Sequence, residues 1–168
     1  ITLTRPKALN ALSYDMCIAI EKAIDDWRDD PEVAVIVLDA EGEKAFCAGG
    51  DVAQLYQTGK DGDFDFARRF WADEYRLNNK LHGFPKPVIS FMQGFMPECG
   101  IGLVPDVGGT LLLAQAPGRM GEYLGLTGAR MGAGDVLHAG FADYFIAQAE
   151  WPALIAQLEE NGDPFILD

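Results

Sequence analysis

The stretch "GFMPECGIGLVPDVGG", residues 94–109, sets two carboxylates, Glu98 and Asp106, into a run that is otherwise mostly apolar or glycine. A carboxylate in apolar surroundings loses hydration, so its pKa rises and it becomes fit for acid, base or nucleophilic work. For Asp106 a plainer reading competes, because it precedes "VGGTLLLAQ" and would serve as the N-cap of a helix there. Glu98 has neither a cap position nor an obvious partner in its neighbourhood. A second oddity is the join itself, where "QGF" runs abruptly into "MPE" between Phe95 and Met96.

Upstream of the join, "KPVISFMQG", residues 86–94, reads as a buried strand. "VAVIVLDA", residues 33–40, is a nearly continuous β-branched run that suits a strand covered on both faces. Helical patterns separate them. "SYDMCIAIEKAIDDWRDD", 13–30, has Ser13 as a plausible N-cap, Asp15 in the first turn, and Met16, Ile20, Ala23, Ile24 and Trp27 at helical spacing. "FDFARRFWADEYRLNNKLHGF", 64–84, follows a polar linker at 58–63. Helix, strand, loop, helix, strand is the order of an α/β protein. The last third reads as short helices punctuated by glycine: "GTLLLAQA", "MGEYLGL", "GAGDVLHAG" and "EWPALIAQLEENG", the last ended by Asn-Gly. "FADYFI" between the last two reads as a short strand.

Two further features point to chemistry. "AFCAGGDV", 45–52, lies just past the first strand, and its glycine pair lets backbone amides approach a ligand. The alternative is a plain turn in which Asp51 caps a helix. On the second helix, Phe66, Phe70, Leu77 and Leu81 form an apolar stripe, and Glu74 falls on that stripe at about 100° per residue. An inward carboxylate is satisfied or functional. The alternative is a stripe-edge glutamate that reaches solvent along its stem.

Composition excludes much else. The chain has 168 residues with 13 basic and 26 acidic side chains, a formal charge of −13. Such a chain repels nucleic acid and anionic membranes in bulk, and no apolar run reaches the length of a membrane span. Neither partner is expected. Three cysteines (Cys17, Cys47, Cys99) in no CxxC arrangement, with only His82 and His138, argue against a disulfide framework or a metal site and for a reducing cytoplasm. The chain opens mid-pattern on "ITLTRP", so an upstream segment is allowed for. There is no GxGxxG, GxSxG or P-loop.

Taken in order, "RPKALNALS", "AFCAGGD", "KPVISFMQG" and "PE…G…PDVGGT" resemble the crotonase (enoyl-CoA hydratase/isomerase) superfamily over most of residues 1–145. Within it, "FCAGGD", "EYRLNN" (74–79) and "PDVGG" look most like the 3-hydroxyisobutyryl-CoA hydrolase branch, although dienoyl-CoA isomerases also tend to carry an aspartate at the position of Asp106. The resemblance implies a spiral of ββα units with a helical C-terminal region. Residues 1–146 would form the core, and 147–168 the start of a C-terminal region that continues past "NGDPFILD".

The implied activity is hydrolysis of a short 3-hydroxyacyl-CoA thioester in valine breakdown. The alternatives are an enoyl-CoA hydratase or dienoyl-CoA isomerase, and a non-catalytic acyl-CoA-binding member. The resemblance implies Glu98 as the reactive group with Asp106 as its helper. Glu74 would bind the substrate hydroxyl, the Gly50 amide would be one oxyanion donor, and Ala48 and Gly49 would line the substrate. The acyl-CoA is the only partner molecule it implies besides a homo-oligomer, coenzyme A being part of the substrate rather than a cofactor. Arg5, Lys7 and Lys44 are candidates for its phosphates. The location would be cytoplasmic, or the mitochondrial matrix in a eukaryote.

The resemblance also addresses the abrupt join. The family carries a second glycine-rich loop, a helix and a strand between positions that here are Phe95 and Met96, and that loop holds the second oxyanion donor. A return to a parallel strand needs a crossover of about a dozen residues or more. The expectation is a gap closed up in the numbering, which a Cα–Cα distance of about 3.8 Å from Phe95 to Met96 would refute.

Overall fold

The computed structural model describes residues 1–94 and 108–167. Glu98, Cys99, Asp106 and the join between Phe95 and Met96 lie outside the described residues. Three short strands, β1 (Thr2–Leu3), β2 (Ile36–Ala40) and β3 (Val88–Ser90), form a parallel sheet in the order β1-β2-β3. Between β1 and β2 runs α1 (Tyr14–Trp27), and between β2 and β3 run α2 (Val52–Lys60) and α3 (Phe64–His82). A parallel sheet with helical crossovers is the α/β arrangement that the order of patterns predicts.

α1 and α3 begin where the sequence patterns place them. Ser13 caps α1, its hydroxyl accepting from Met16 N at 3.3 Å, and Asp63 caps α3, accepting from Phe66 N at 3.0 Å. α1 and α3 pack along their apolar stripes over the sheet, and Cys17, Ile24, Ile36 and Leu77 make the central cluster. On the outer side of this pair, Arg76 clamps Glu21 through two bonds of 2.6 and 2.7 Å. Lys80 reaches both Glu21 and Asp25.

Residues 108–167 add α4 (Gly109–Gln115), α5 (Met120–Thr127), α6 (Ala133–His138) and α7 (Trp151–Asn161). Gly162 closes α7 in the left-handed conformation, as the Asn-Gly signal predicts. The close pass of α5 against α4 depends on Gly121, where a Cβ would meet the Leu113 backbone.

Four expectations change. β2 is shorter than the apolar run at 33–40, and only Ile36 in it is fully buried. β3 is not a strand buried on both faces: among the described residues it pairs with β2 alone, and Ser90 is exposed. Among the described residues no strand lies on its other edge, and Val88 and Ile89 are only partly buried. "FADYFI" (141–146) forms no strand, because no described strand runs beside it to supply hydrogen bonds. Gly108, not Asp106, occupies the N-cap of α4, in the left-handed conformation.

Candidate active site

The loop after β2 is where the candidate residues converge. Two buried amides hold it. Asn10, only 1% exposed, donates from Nδ2 to the carbonyls of Glu41 and Ala45, both at 2.9 Å. Gln93 donates from Nε2 to Ala40 O at 2.7 Å and Gly42 O at 2.8 Å, and its backbone carbonyl accepts from Phe46 N. Sequence reasoning missed both residues. Asn10 was readable in principle, since asparagine tolerates the left-handed conformation it adopts here and carries donors and an acceptor together.

The loop then reaches the glycine pair. Gly49 has φ +85°, which a side chain adopts only with strain. Leu12 bridges Gly50 in parallel fashion: Leu12 N donates to Gly49 O at 2.8 Å and Asp51 N donates to Leu12 O at 2.9 Å. In such a bridge the middle residue turns its own amide away from its partner. The Gly50 N–H is therefore directed to the opposite side, and no described carbonyl accepts from it. Ala48 differs, because its amide is committed to Leu9 O at 3.0 Å.

Glu74 closes on the same point from α3. It is 7% exposed, between Phe70 and Leu77 on the inward stripe, as the helical spacing predicts. A Cβ added to Gly50 would lie 3.2 Å from the Phe70 ring and 3.6 Å from Glu74 Oε1. Glycine at 50 thus leaves space for the Phe70 ring and a carboxylate at the loop backbone. Cys17, fully buried on α1, reports the charge: burial pushes its thiol up to about 11, with the Glu74 carboxylate as the next cause. The thiol is neutral at physiological pH and is no nucleophile.

Asp51 takes the plain role that was open to it. Its carboxylate caps α2 by accepting from Gln54 N at 3.1 Å, and it pairs with Arg5 at 2.8 Å. The Arg5 guanidinium, aided by the Gln54 amide against the cost of burial, holds that carboxyl below its usual range. Arg5 also donates to Ala11 O at 2.7 Å, so its guanidinium is engaged in holding the loop and is a poor candidate for a phosphate. Lys7 and Lys44 are exposed and make no ion pair among the described residues. No group of three or more histidine, cysteine, aspartate or glutamate side chains suited to a metal occurs among the described residues.

The structure therefore brings Gly50 and Glu74 together, with Gly49 and Ala48 beside them. It leaves Glu98 and Asp106 outside the described residues. Gly50 and Glu74, set in a parallel α/β fold, make the loop after β2 the candidate ligand site among the described residues.

Comparison with known proteins gives the family. A model of the enoyl-CoA hydratase/isomerase family matches residues 1–96 and 95–164. The chain belongs to the enoyl-CoA hydratase/isomerase family, and its fold is the crotonase fold. It is 40% identical over 178 residues to the mitochondrial 3-hydroxyisobutyryl-CoA hydrolase of Gallus gallus, a match that covers 92% of this chain and 46% of that protein. With the enzyme of the same name from Danio rerio the identity is 35% over 192 residues, covering 100% of this chain and 50% of the relative. A solved structure of an enoyl-CoA hydratase from Rhodobacter sphaeroides 2.4.1 is 53% identical. It superposes with a TM-score of 0.86 over 95% of this chain and 54% of that one. The chain thus spans about half the length of the curated relatives it matches.

Proposed function

We propose that the chain is the thioester-binding part of an acyl-CoA hydrolase that releases free acid and CoA from a short 3-hydroxyacyl-CoA, with 3-hydroxyisobutyryl-CoA as the best-supported substrate. The observation that carries this reading is the meeting of the outward-directed Gly50 amide with the buried Glu74 carboxylate. A thioester carbonyl oxygen gains negative charge as it is attacked, and a fixed amide from which no described carbonyl accepts is a ready donor to it. A buried carboxylate a few ångströms away is an acceptor placed for a hydroxyl on the acyl chain.

In this reading Glu98 is the reactive carboxylate. It either attacks the carbonyl carbon to give a mixed anhydride or takes a proton from an attacking water. The C–S bond breaks, and the leaving thiolate takes up a proton. Net, one water is consumed. Asp106 orients the hydroxyl or the water, or assists protonation of the thiolate. Removing one donor from such an oxyanion hole slows the reaction about 10²–10³-fold. The names of the relatives support a mitochondrial setting in a eukaryote, and a homo-oligomer is the expected assembly.

The test is release of free thiol from 3-hydroxyisobutyryl-CoA. Glu98→Gln is expected to abolish it while substrate binding survives, and near-wild-type turnover in that variant would remove Glu98 from its role. Glu74→Ala is expected to raise KM for 3-hydroxyacyl substrates selectively. An equal rise for acyl-CoAs without the hydroxyl would remove the assignment of Glu74. A second reading, hydration of an enoyl-CoA, is favoured by the name of the 53% identical structure. Loss of enoyl thioester absorbance without thiol release would select it.

A further inference from the structure

Arg5 ties together the two segments that meet behind the Gly50 amide. Its backbone N donates to Asn10 Oδ1 and its backbone O accepts from Asn10 N, both at 2.9 Å. These bonds close a turn in which Leu9 and Asn10 take left-handed φ of 51° and 54°. The guanidinium divides its donors between two places. Nη1 donates to Ala11 O at 2.7 Å, and Nη2 donates to Asp51 Oδ2 at 2.8 Å. The other Asp51 oxygen accepts from Gln54 N, so this carboxylate is held at both oxygens.

That grip bears on Gly50. Leu12 N donates to Gly49 O and Asp51 N donates to Leu12 O, which turns the Gly50 N–H to the other side. Arg5 braces this bridge on both of its strands, at Ala11 on one and at Asp51 on the other. Each anchor is the chain neighbour of a bridge residue. A planar guanidinium suits the task, because its donors leave it in fixed directions. An oxyanion donor is effective because it is fixed before charge develops, and a misplacement of about 1 Å can cost about 10²-fold in rate. We infer that Arg5 is a positioning residue, which acts through Asp51 and Ala11 to hold the Gly50 N–H in place as an oxyanion donor. What the amide does rests on the thioesterase reading; the inference adds a residue that sets the donor without touching substrate.

The test compares Arg5→Ala, Asp51→Asn and the double variant with the parent. Asparagine caps a helix as well as aspartate does, so Asp51→Asn keeps the start of α2 and removes the acceptor for Nη2. It decides the matter if Arg5→Ala does not fold. Hydrogen exchange at the Leu12 amide is expected to quicken about tenfold in each, the order that a lost charge-assisted hydrogen bond allows. The Ile24 and Leu77 amides, in the core, are expected to keep their rates. Thiol release from 3-hydroxyisobutyryl-CoA is expected to lose about 10–100-fold in kcat with KM little changed, because an oxyanion donor acts in the transition state. The double variant is expected to fall no further than the worse single one. A rise in KM with kcat unchanged overturns the inference and makes Arg5 a ligand of the CoA phosphates. Losses that add in the double variant, or core amides that quicken along with Leu12, overturn it as well. If the parent itself releases no thiol, the thioesterase reading falls, and the exchange rates alone then decide whether Arg5 holds the bridge.

Discussion

The two parts of the molecule on either side of residues 95–107 are built differently. In residues 1–94, α1 and α3 enclose Cys17, Ile24, Phe70 and Leu77 over the sheet, and acidic and basic side chains between them are paired. In residues 108–167 the buried positions are few and include small ones, Ala116 and Ala139, while Leu126, Phe145 and Phe165 are largely exposed. The single ion pair described there, Arg119 with Glu122, is on the surface. The first part closes a core by itself. The second presents apolar faces that its own helices do not cover. The difference teaches that the described candidate-site residues rest on the part with the more fully enclosed core.

Phe70→Ala is the strongest way to break this contrast. The ring is 1% exposed, stacks 6.3 Å from Phe66, and fills the space that glycine leaves at position 50. Truncating a fully buried phenylalanine costs about 3–5 kcal/mol, measurable by urea unfolding. A loss below about 1 kcal/mol would mean that the first part is no better packed than the second. Leu158 on α7 is equally buried at 1%, but it lies in the part where buried positions are few. Leu158→Ala is therefore expected near the lower end for such changes, about 2 kcal/mol. A cost equal to that of Phe70→Ala would erase the distinction.

The sequence made the first part legible for the same reason that it is stable. Ser13 announces a helix because a cap satisfies orphan amides locally, and Glu74 is legible as an inward carboxylate because a 3.6-residue period puts it on the apolar stripe. The family motifs singled out Gly50, and the fold sets it close to Glu74, a Cβ there lying 3.6 Å from Glu74 Oε1. What sequence could not show was set by distant neighbours. β3 looks like a buried strand because its residues are apolar, yet its burial depends on whether another strand lies beside it. Arg5 looks like a free cation until the fold places Asp51 at 2.8 Å. Asn10 and Gln93 act through carbonyls more than 30 residues away, which no local pattern encodes.

Glu21→Gln gives the smallest effect and sharpens the contrast through pH. Hydrogen bonds from Arg76, then those from Lys80, hold the Glu21 carboxyl at about 2 against the cost of its burial. Arg76 is half exposed, so solvent weakens the pair, and the loss at neutral pH is expected to be about 1–2 kcal/mol. The sign follows from proton binding. Between the ordinary value of 4.5 and about 2, the unfolded chain binds a proton at Glu21 that the folded chain does not. The contribution of Glu21 is thus complete above pH 4.5, shrinks as pH falls, and is gone below about 2. Glutamine does not titrate. The difference in stability between the parent and Glu21→Gln is therefore expected to narrow steadily from pH 5 to pH 2. A difference that stays constant across that range would show that the α1–α3 contact is held by packing alone, with its charges acting only as solvated surface.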